Sequence, residues 1–164
     1  GMYRACCGDE TFTQLRQGCD CTILTYGILI NQALEAAELL HLQGIEARVV
    51  KLNTIIPLPE QETVAVLGRE KRLLVLEECM ANGCVGQRLA AILTGCGCAP
   101  DKLLLTNLGD TIPCHGSISQ LYTHCGLDAQ SVADALEEPC SRVDIRQGET
   151  ENQRKITVEG GKGL

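Results

Sequence analysis

Apolar and polar residues fall into blocks along this chain, and the spacing within each block separates strands from helices. Residues 21–26 (CTILTY) are apolar and β-branched, which predicts a strand, and Gly27 releases the chain from it. Over residues 29–43, Ile30, Ala33, Leu34, Ala37 and Leu40 recur at three-and-four spacing, so one buried helical stripe is predicted, with Gly44 placed to end it. Residues 45–53 (IEARVVKLN) read as the next strand, with Ala47, Val49 and Val50 inside it. A loop over residues 54–58 then reaches Pro59, whose missing N–H costs nothing in a first helical turn. Glu60 and Glu62 follow where the helix dipole favours negative charge, and Gly68 ends that helix.

The most informative run is residues 72–93 (RLLVLEECMANGCVGQRLAAIL). Its unbroken apolar stretch predicts a strand over residues 73–77 that is covered on both faces, as in parallel sheets flanked by helices. A loop carrying Glu78, Gly83, Cys84 and Gly86 leaves that strand's carboxyl end, where open α/β folds place their functional surface, and a helix starts near Val85. Residues 102–107 (KLLLTN) form a further strand. Ser117 with Gln120 three residues on is a capping-box pattern for a short helix that Gly126 stops. Asp128 suits the N-cap of a last helix through Ala135 and Leu136, terminated by Pro139. Residues 11–16 alternate weakly, as an edge strand would. The organisation expected is a lead-in over residues 1–16, one domain over 17–140, and a polar, mobile tail over 141–164. Strands alternating with helices through short connections, with no internal repeat, predict an α/β fold with a mainly parallel sheet and right-handed crossovers.

Composition agrees with this pattern. The chain has 164 residues, enough for one domain, and is 45% hydrophobic but only 2% aromatic, with no Trp. Its core is therefore aliphatic, which favours helices on a sheet over an aromatic-rich β-sandwich. A net charge of -7 without a basic stripe argues against a nucleic-acid partner. No apolar run approaches the roughly 20 residues of a membrane span, and the start lacks the regions of a signal peptide, so a cytoplasmic setting is expected. Gly1 ahead of Met2 reads as a processing scar. Eleven cysteines invite a zinc or disulfide reading, but Cys6 and Cys7 are adjacent, and Cys19/Cys21 and Cys96/Cys98 are one residue apart. None has the C-x-x-C hook, so cysteine as a small buried hydrophobe in a reducing compartment is favoured.

Candidate chemistry is sparse. Gly27 stands alone where a dinucleotide loop would use three glycines, and neither a Walker lysine nor a G-x-S-x-G elbow is present. His41 reads as structural at a core boundary, and His124 as a cation suited to a helix end. His115, followed by Gly116, sits in a loop at the expected carboxyl edge, where packing or an interface role outweighs catalysis without a positioned partner. Glu77 and Glu78, adjacent at a strand end, face opposite ways and do not make an acid/base pair. Around Gly83 and Gly86, exposed N–H groups ahead of a helix could hold an anion; glycine chosen for conformation alone is the competing reading.

Residues 20–27 (DCTILTYG), 33–37 (ALEAA), 44–47 (GIEA), Pro57-Leu58, 76–78 (LEE), 83–86 (GCVG) and 112–128 (IPCHGSISQLYTHCGLD) form an ordered series. Together they resemble the C-terminal domain of the transketolase superfamily, most of all that of 1-deoxy-D-xylulose-5-phosphate synthases. Pro59, where the family usually has an acidic cap, and Cys84, where a second glycine is common, depart from the pattern. The resemblance implies a three-layer α/β/α domain with a five-stranded mixed sheet whose first strand is antiparallel. It also implies a parent enzyme that uses thiamine diphosphate and Mg²⁺ to join a two-carbon unit from pyruvate to glyceraldehyde 3-phosphate, for isoprenoid, thiamine and pyridoxal precursors. In the family, cofactor-binding and catalytic residues belong to the pyrimidine- and diphosphate-binding domains, and none is carried over here. The expected role is a catalytically silent support that assembles with those domains and as a homo-oligomer. Alternatives are the C-terminal section of a split transketolase or of a two-oxo-acid dehydrogenase β subunit, and a free-standing anion-binding module.

Overall fold

A computed structural model describes residues 10–110 and 115–137. The expected tail over 141–164, the Pro139 stop and Pro113-Cys114 lie outside the described residues. Five strands run β1 (Phe12–Arg16), β2 (Cys21–Thr25), β3 (Ala47–Leu52), β4 (Arg72–Leu76) and β5 (Lys102–Thr106). They form one sheet in the order β1-β3-β2-β4-β5. β1 pairs antiparallel with β3, with an irregular register between Gln14 and Arg16, while β2, β3, β4 and β5 are parallel. The five-stranded mixed sheet with an antiparallel first strand is thus the one the resemblance implied.

Strand alternation splits the aliphatic core in two. Ile23, Val49, Leu74 and Leu104 face a layer containing α1 (Ile30–Leu42) and α5 (Ala129–Glu137). Leu24, Val50, Leu73 and Val75 face the opposite layer of α2 (Glu60–Leu67) and α3 (Val85–Gly95). Because consecutive side chains point to opposite faces, a strand buried on both sides favours apolar residues at successive positions, and β4 carries no polar residue between Leu73 and Leu76. Each fully buried leucine of this kind contributes about 1.5–3 kcal/mol by leaving water.

The helices follow their predicted stripes with local adjustments. Residues Gly27–Leu29 form a 3-10 turn, so α1 proper begins at Ile30. Ala36 is fully buried, whereas Leu34 is only partly so, which moves the centre of the buried stripe by part of a turn. Pro59 precedes α2 as its N-cap in extended conformation, one position earlier than the first-turn placement expected. Its carbonyl accepts from both the N–H and Oγ1 of Thr63. His41 is exposed and lies 2.7 Å from Glu46, correcting the core-boundary reading: it sits on the outer side of α1's last turn. The α4 helix (Ile118–Cys125) opens with the predicted capping box: Ser117 Oγ accepts from Gln120 N–H, and Gln120 Oε1 accepts from Ser117 N–H. Asp128 accepts the N–H and hydroxyl of Ser131 at the start of α5.

The buried-hydrophobe reading of cysteine holds in part. Cys21 and Cys84 are buried, but Cys19 and Cys96 are exposed, in the turn before β2 and just past α3. Among the described residues every cysteine is free, and no His/Cys/Asp/Glu group could hold a metal ion. No helix of the described residues is long and apolar enough to cross a membrane.

Candidate functional site

In this strand order the chain leaves β2 towards β3 on one side, while β4 lies on the other, so the crevice between the carboxyl ends of β2 and β4 is the fold's switch point. Tyr26 follows β2 there, and Glu77 follows β4. Glu77 is 1% exposed, and burying a carboxylate so completely requires compensating donors. It has three. The Val85 N–H donates to Oε1 at 2.9 Å, the Gly86 N–H to Oε2 at 2.8 Å, and the Tyr26 hydroxyl to Oε1 at 3.0 Å.

The first turn of α3 supplies two of those donors. Cys84, its N-cap residue, makes no side-chain capping bond, so the helix would begin with unsatisfied N–H groups. The Glu77 carboxylate answers them across the crevice and places negative charge at the positive end of the helix dipole. Gly86 is what permits the approach: a Cβ there would lie 2.6 Å from Leu105 Cδ2 and 2.9 Å from Glu77 Oε2. Gly83 holds a φ of +80°, a left-handed conformation that turns the loop into the helix, and its N–H is taken by Gln87 Oε1.

The expected anion position is therefore filled from within. The amides near Gly83 and Gly86 that could have held an external anion donate to Gln87 and Glu77 instead. The opposite orientation of the two glutamates holds: Glu78 is exposed and accepts the Tyr122 hydroxyl at 3.1 Å, which ties α4 to this loop. Backbone bonds zip the β4–α3 loop to the loop after β5, from Ala81 N–H to the Gly109 carbonyl and from Leu108 N–H to the Cys79 carbonyl. His115 and Gly116 are exposed just ahead of the α4 cap. Among the described residues no hydrogen bond joins His115 to Glu77 or Glu78, so the structure does not bring it together with the carboxylates.

The electrostatics agree with a closed network. Burial, then the neighbouring Glu77 charge, drives the Tyr26 phenol far above its ordinary range. The same two causes push the Cys79 thiol up to about 11, and burial raises Cys84. Thiols held protonated are poor nucleophiles, and the three donors on Glu77 all come from the chain itself. Thiamine diphosphate and Mg²⁺ fit these residues badly. A diphosphate would seek the α3 amides, which are spent, and the metal would seek a carboxylate cluster that the described residues do not offer.

Tyr26 and Tyr122 were not singled out by sequence. The available signal was indirect: a helix opening on Cys84 rather than Ser, Thr, Asp or Asn needs its amides satisfied from elsewhere.

Comparison with known proteins bears on this geometry. The family model described as "Transketolase, C-terminal domain" matches residues 11–132. A 1-deoxy-D-xylulose-5-phosphate synthase of Geobacillus thermodenitrificans (strain NG80-2) is 32% identical over 136 residues, covering 83% of this chain and 22% of the relative. The 2-oxoisovalerate dehydrogenase subunit beta of Bacillus subtilis (strain 168) is 35% identical over 79 residues, covering 48% of this chain and 24% of the relative. A solved structure described as a split gene transketolase, inactive beta4 tetramer, is 28% identical with a TM-score of 0.68, covering 77% of this chain and 41% of that one. The chain thus spans about a fifth to a quarter of the length of the curated relatives it matches. With a family match over most of its length and a sheet of the corresponding design, the chain belongs to the transketolase C-terminal domain family.

Proposed function

We propose that this chain is the C-terminal, catalytically silent part of a thiamine-diphosphate-dependent 1-deoxy-D-xylulose-5-phosphate synthase, with residues 17–140 as the supporting domain and 141–164 as a tail. In this role it packs against pyrimidine- and diphosphate-binding domains that hold the cofactor and Mg²⁺, self-associates, and works in the cytoplasm. The observation that carries the silent role is the crevice at the switch point. Its carboxylate, phenol and helix amides satisfy one another, so little donor or acceptor capacity is left for a substrate. The choice of synthase is supported by likeness to that enzyme over 83% of the chain.

A second reading is favoured by the split gene transketolase and the oxo-acid dehydrogenase β subunit: the chain serves as a section of a separately encoded subunit of such an enzyme. Two assays test the proposal. The chain alone, given pyruvate, glyceraldehyde 3-phosphate, thiamine diphosphate and Mg²⁺, releases no carbon dioxide. Grafted in place of the C-terminal domain of the Geobacillus synthase, it restores deoxyxylulose phosphate formation. Turnover by the isolated chain refutes the silent role, and a soluble but inactive graft moves the assignment to the second reading.

A further inference from the structure

The strand β1 lies at one end of the sheet and pairs, among the described residues, with β3 alone. One hydrogen bond fixes which way its backbone groups point. The Asn53 N–H donates to the Thr11 carbonyl at 2.8 Å, and Thr13 stands opposite Lys51, so the main-chain groups of Thr11 and Thr13 turn towards β3. Those groups alternate sides along a strand, which leaves the N–H and C=O of Phe12 and Gln14 on the outer edge. Such an edge is a template for one more strand. A cleft of about 410 Å³ runs beside it where β1 meets α2, lined by Glu10, Thr11, Phe12, Glu62, Ala65 and Val66. Phe12 faces the layer of α2 and α3, Ala65 is exposed and Val66 half-buried, so the cleft shows apolar surface at that layer's margin. Its two carboxylates make it unsuited to an anion.

The sequence ahead of Glu10 matches this edge. Residues 3–7 (YRACC) are followed by Gly8-Asp9 and then by the lead into β1. Glycine then aspartate between two runs is the signature of a two-residue hairpin turn of type II′, in which glycine supplies the positive φ. A two-residue turn sets the register: Cys7 opposite Glu10, Cys6 opposite Thr11, Ala5 opposite Phe12, Arg4 opposite Thr13 and Tyr3 opposite Gln14. It also requires that Glu10, Phe12 and Gln14 be the residues whose backbone bonds the new strand, the same alternation that β3 imposes from the other side. The Glu10 carbonyl accepts from Asn53 Nδ2 at 2.8 Å, and its second lone pair suffices for the Cys7 N–H. Pairing ends at Gln14, short of the irregular register between Gln14 and Arg16.

We propose that residues 3–7 form a sixth strand, antiparallel to β1 on its outer edge, and that Tyr3, Ala5 and Cys7, which share the face of Phe12, cover the cleft against α2. The occupant of the cleft is the chain's own preceding segment, and it closes the β1 edge to pairing with other chains. This holds whichever parent enzyme the chain serves.

Amide hydrogen exchange and cross-strand contacts, read by NMR on the isotopically labelled full chain, test it. The Phe12 and Gln14 amides exchange slowly although neither faces β3. Hα–Hα contacts join Arg4 to Thr13 and Cys6 to Thr11, the non-hydrogen-bonded pairs of this register. Ala5→Pro removes a donor from the sixth strand and lowers the protection of Phe12 and Gln14 at least about tenfold, the scale of one or two backbone hydrogen bonds, while Thr13 keeps its own. Gly8→Val, which opposes the positive φ of the turn, moves the same two amides in the same direction. Absence of both Hα–Hα contacts, or exchange of Phe12 and Gln14 as fast as in an open chain, overturns the sixth strand. Protection that survives both substitutions also overturns it, and assigns the edge to a second copy if that protection grows with protein concentration.

Discussion

Two helices begin at the same edge of this sheet and solve the same problem in opposite ways. The first turn of α4 is satisfied locally, by Ser117 and Gln120 three residues apart. The first turn of α3 is satisfied from a distance, by a carboxylate eight and nine residues earlier that stands at the end of β4. The lesson is that a local cap holds one helix, whereas a remote cap joins two elements and fills the place where a ligand could have bound.

That contrast predicts graded consequences. Glu77→Ala leaves two α3 amides and the Tyr26 hydroxyl without their acceptor in a buried crevice, which costs about 3–5 kcal/mol, and urea denaturation monitored by circular dichroism reads it as a lower midpoint. Gly86→Ala forces Leu105 and Glu77 to move from a Cβ that would sit 2.6 and 2.9 Å from them, at a cost of about 1–3 kcal/mol in the same measurement. Ser117→Ala removes only the local cap, at about 1 kcal/mol, with hydrogen exchange accelerated in α4 and not in α3. A loss for Ser117→Ala equal to that of Glu77→Ala would erase the distinction.

The smallest expected effect is alkaline. The Cys21 and Cys79 thiols are raised from 9.0 to about 11, chiefly by burial, so the folded state holds these protons more tightly than the unfolded one. Their contribution to stability is complete below about pH 9 and is lost as pH rises towards 11. Replacing both by alanine makes the decline in denaturation midpoint between those values shallower than in the unaltered chain.

How much of this was legible in the sequence follows the same division between local and remote. The strands β2, β4 and β5, the stripe of α1 and the capping box of α4 are written in adjacent residues, so periodicity and cap chemistry found them. The antiparallel place of β1 came from the resemblance, because a weak alternation cannot tell which strand it will join. The partnership of Glu77 with Val85, Gly86 and Tyr26 was not visible: Tyr26 lies 51 residues from Glu77, and only strand pairing brings them together. Gly83 and Gly86 were open to two readings, amides for an external anion or glycine chosen for conformation; the structure shows Gly83 at positive φ and Gly86 leaving room for the chain's own Glu77. His115 attracted attention by its place in a loop at the expected carboxyl edge, and there it is exposed, with no hydrogen bond to Glu77 or Glu78 among the described residues. The exposed cysteines, Cys19 and Cys96, show the limit of composition as a guide to burial.

The central claim is that the α3 amides are already occupied by the chain's own carboxylate. It is tested most directly by following the Val85 and Gly86 amide resonances while thiamine diphosphate and Mg²⁺ are added to the isotopically labelled chain. The account predicts that both signals stay in place and stay protected from exchange, and that they shift and lose protection in Glu77→Gln. Displacement of these two resonances by the cofactor in the unaltered chain would contradict it.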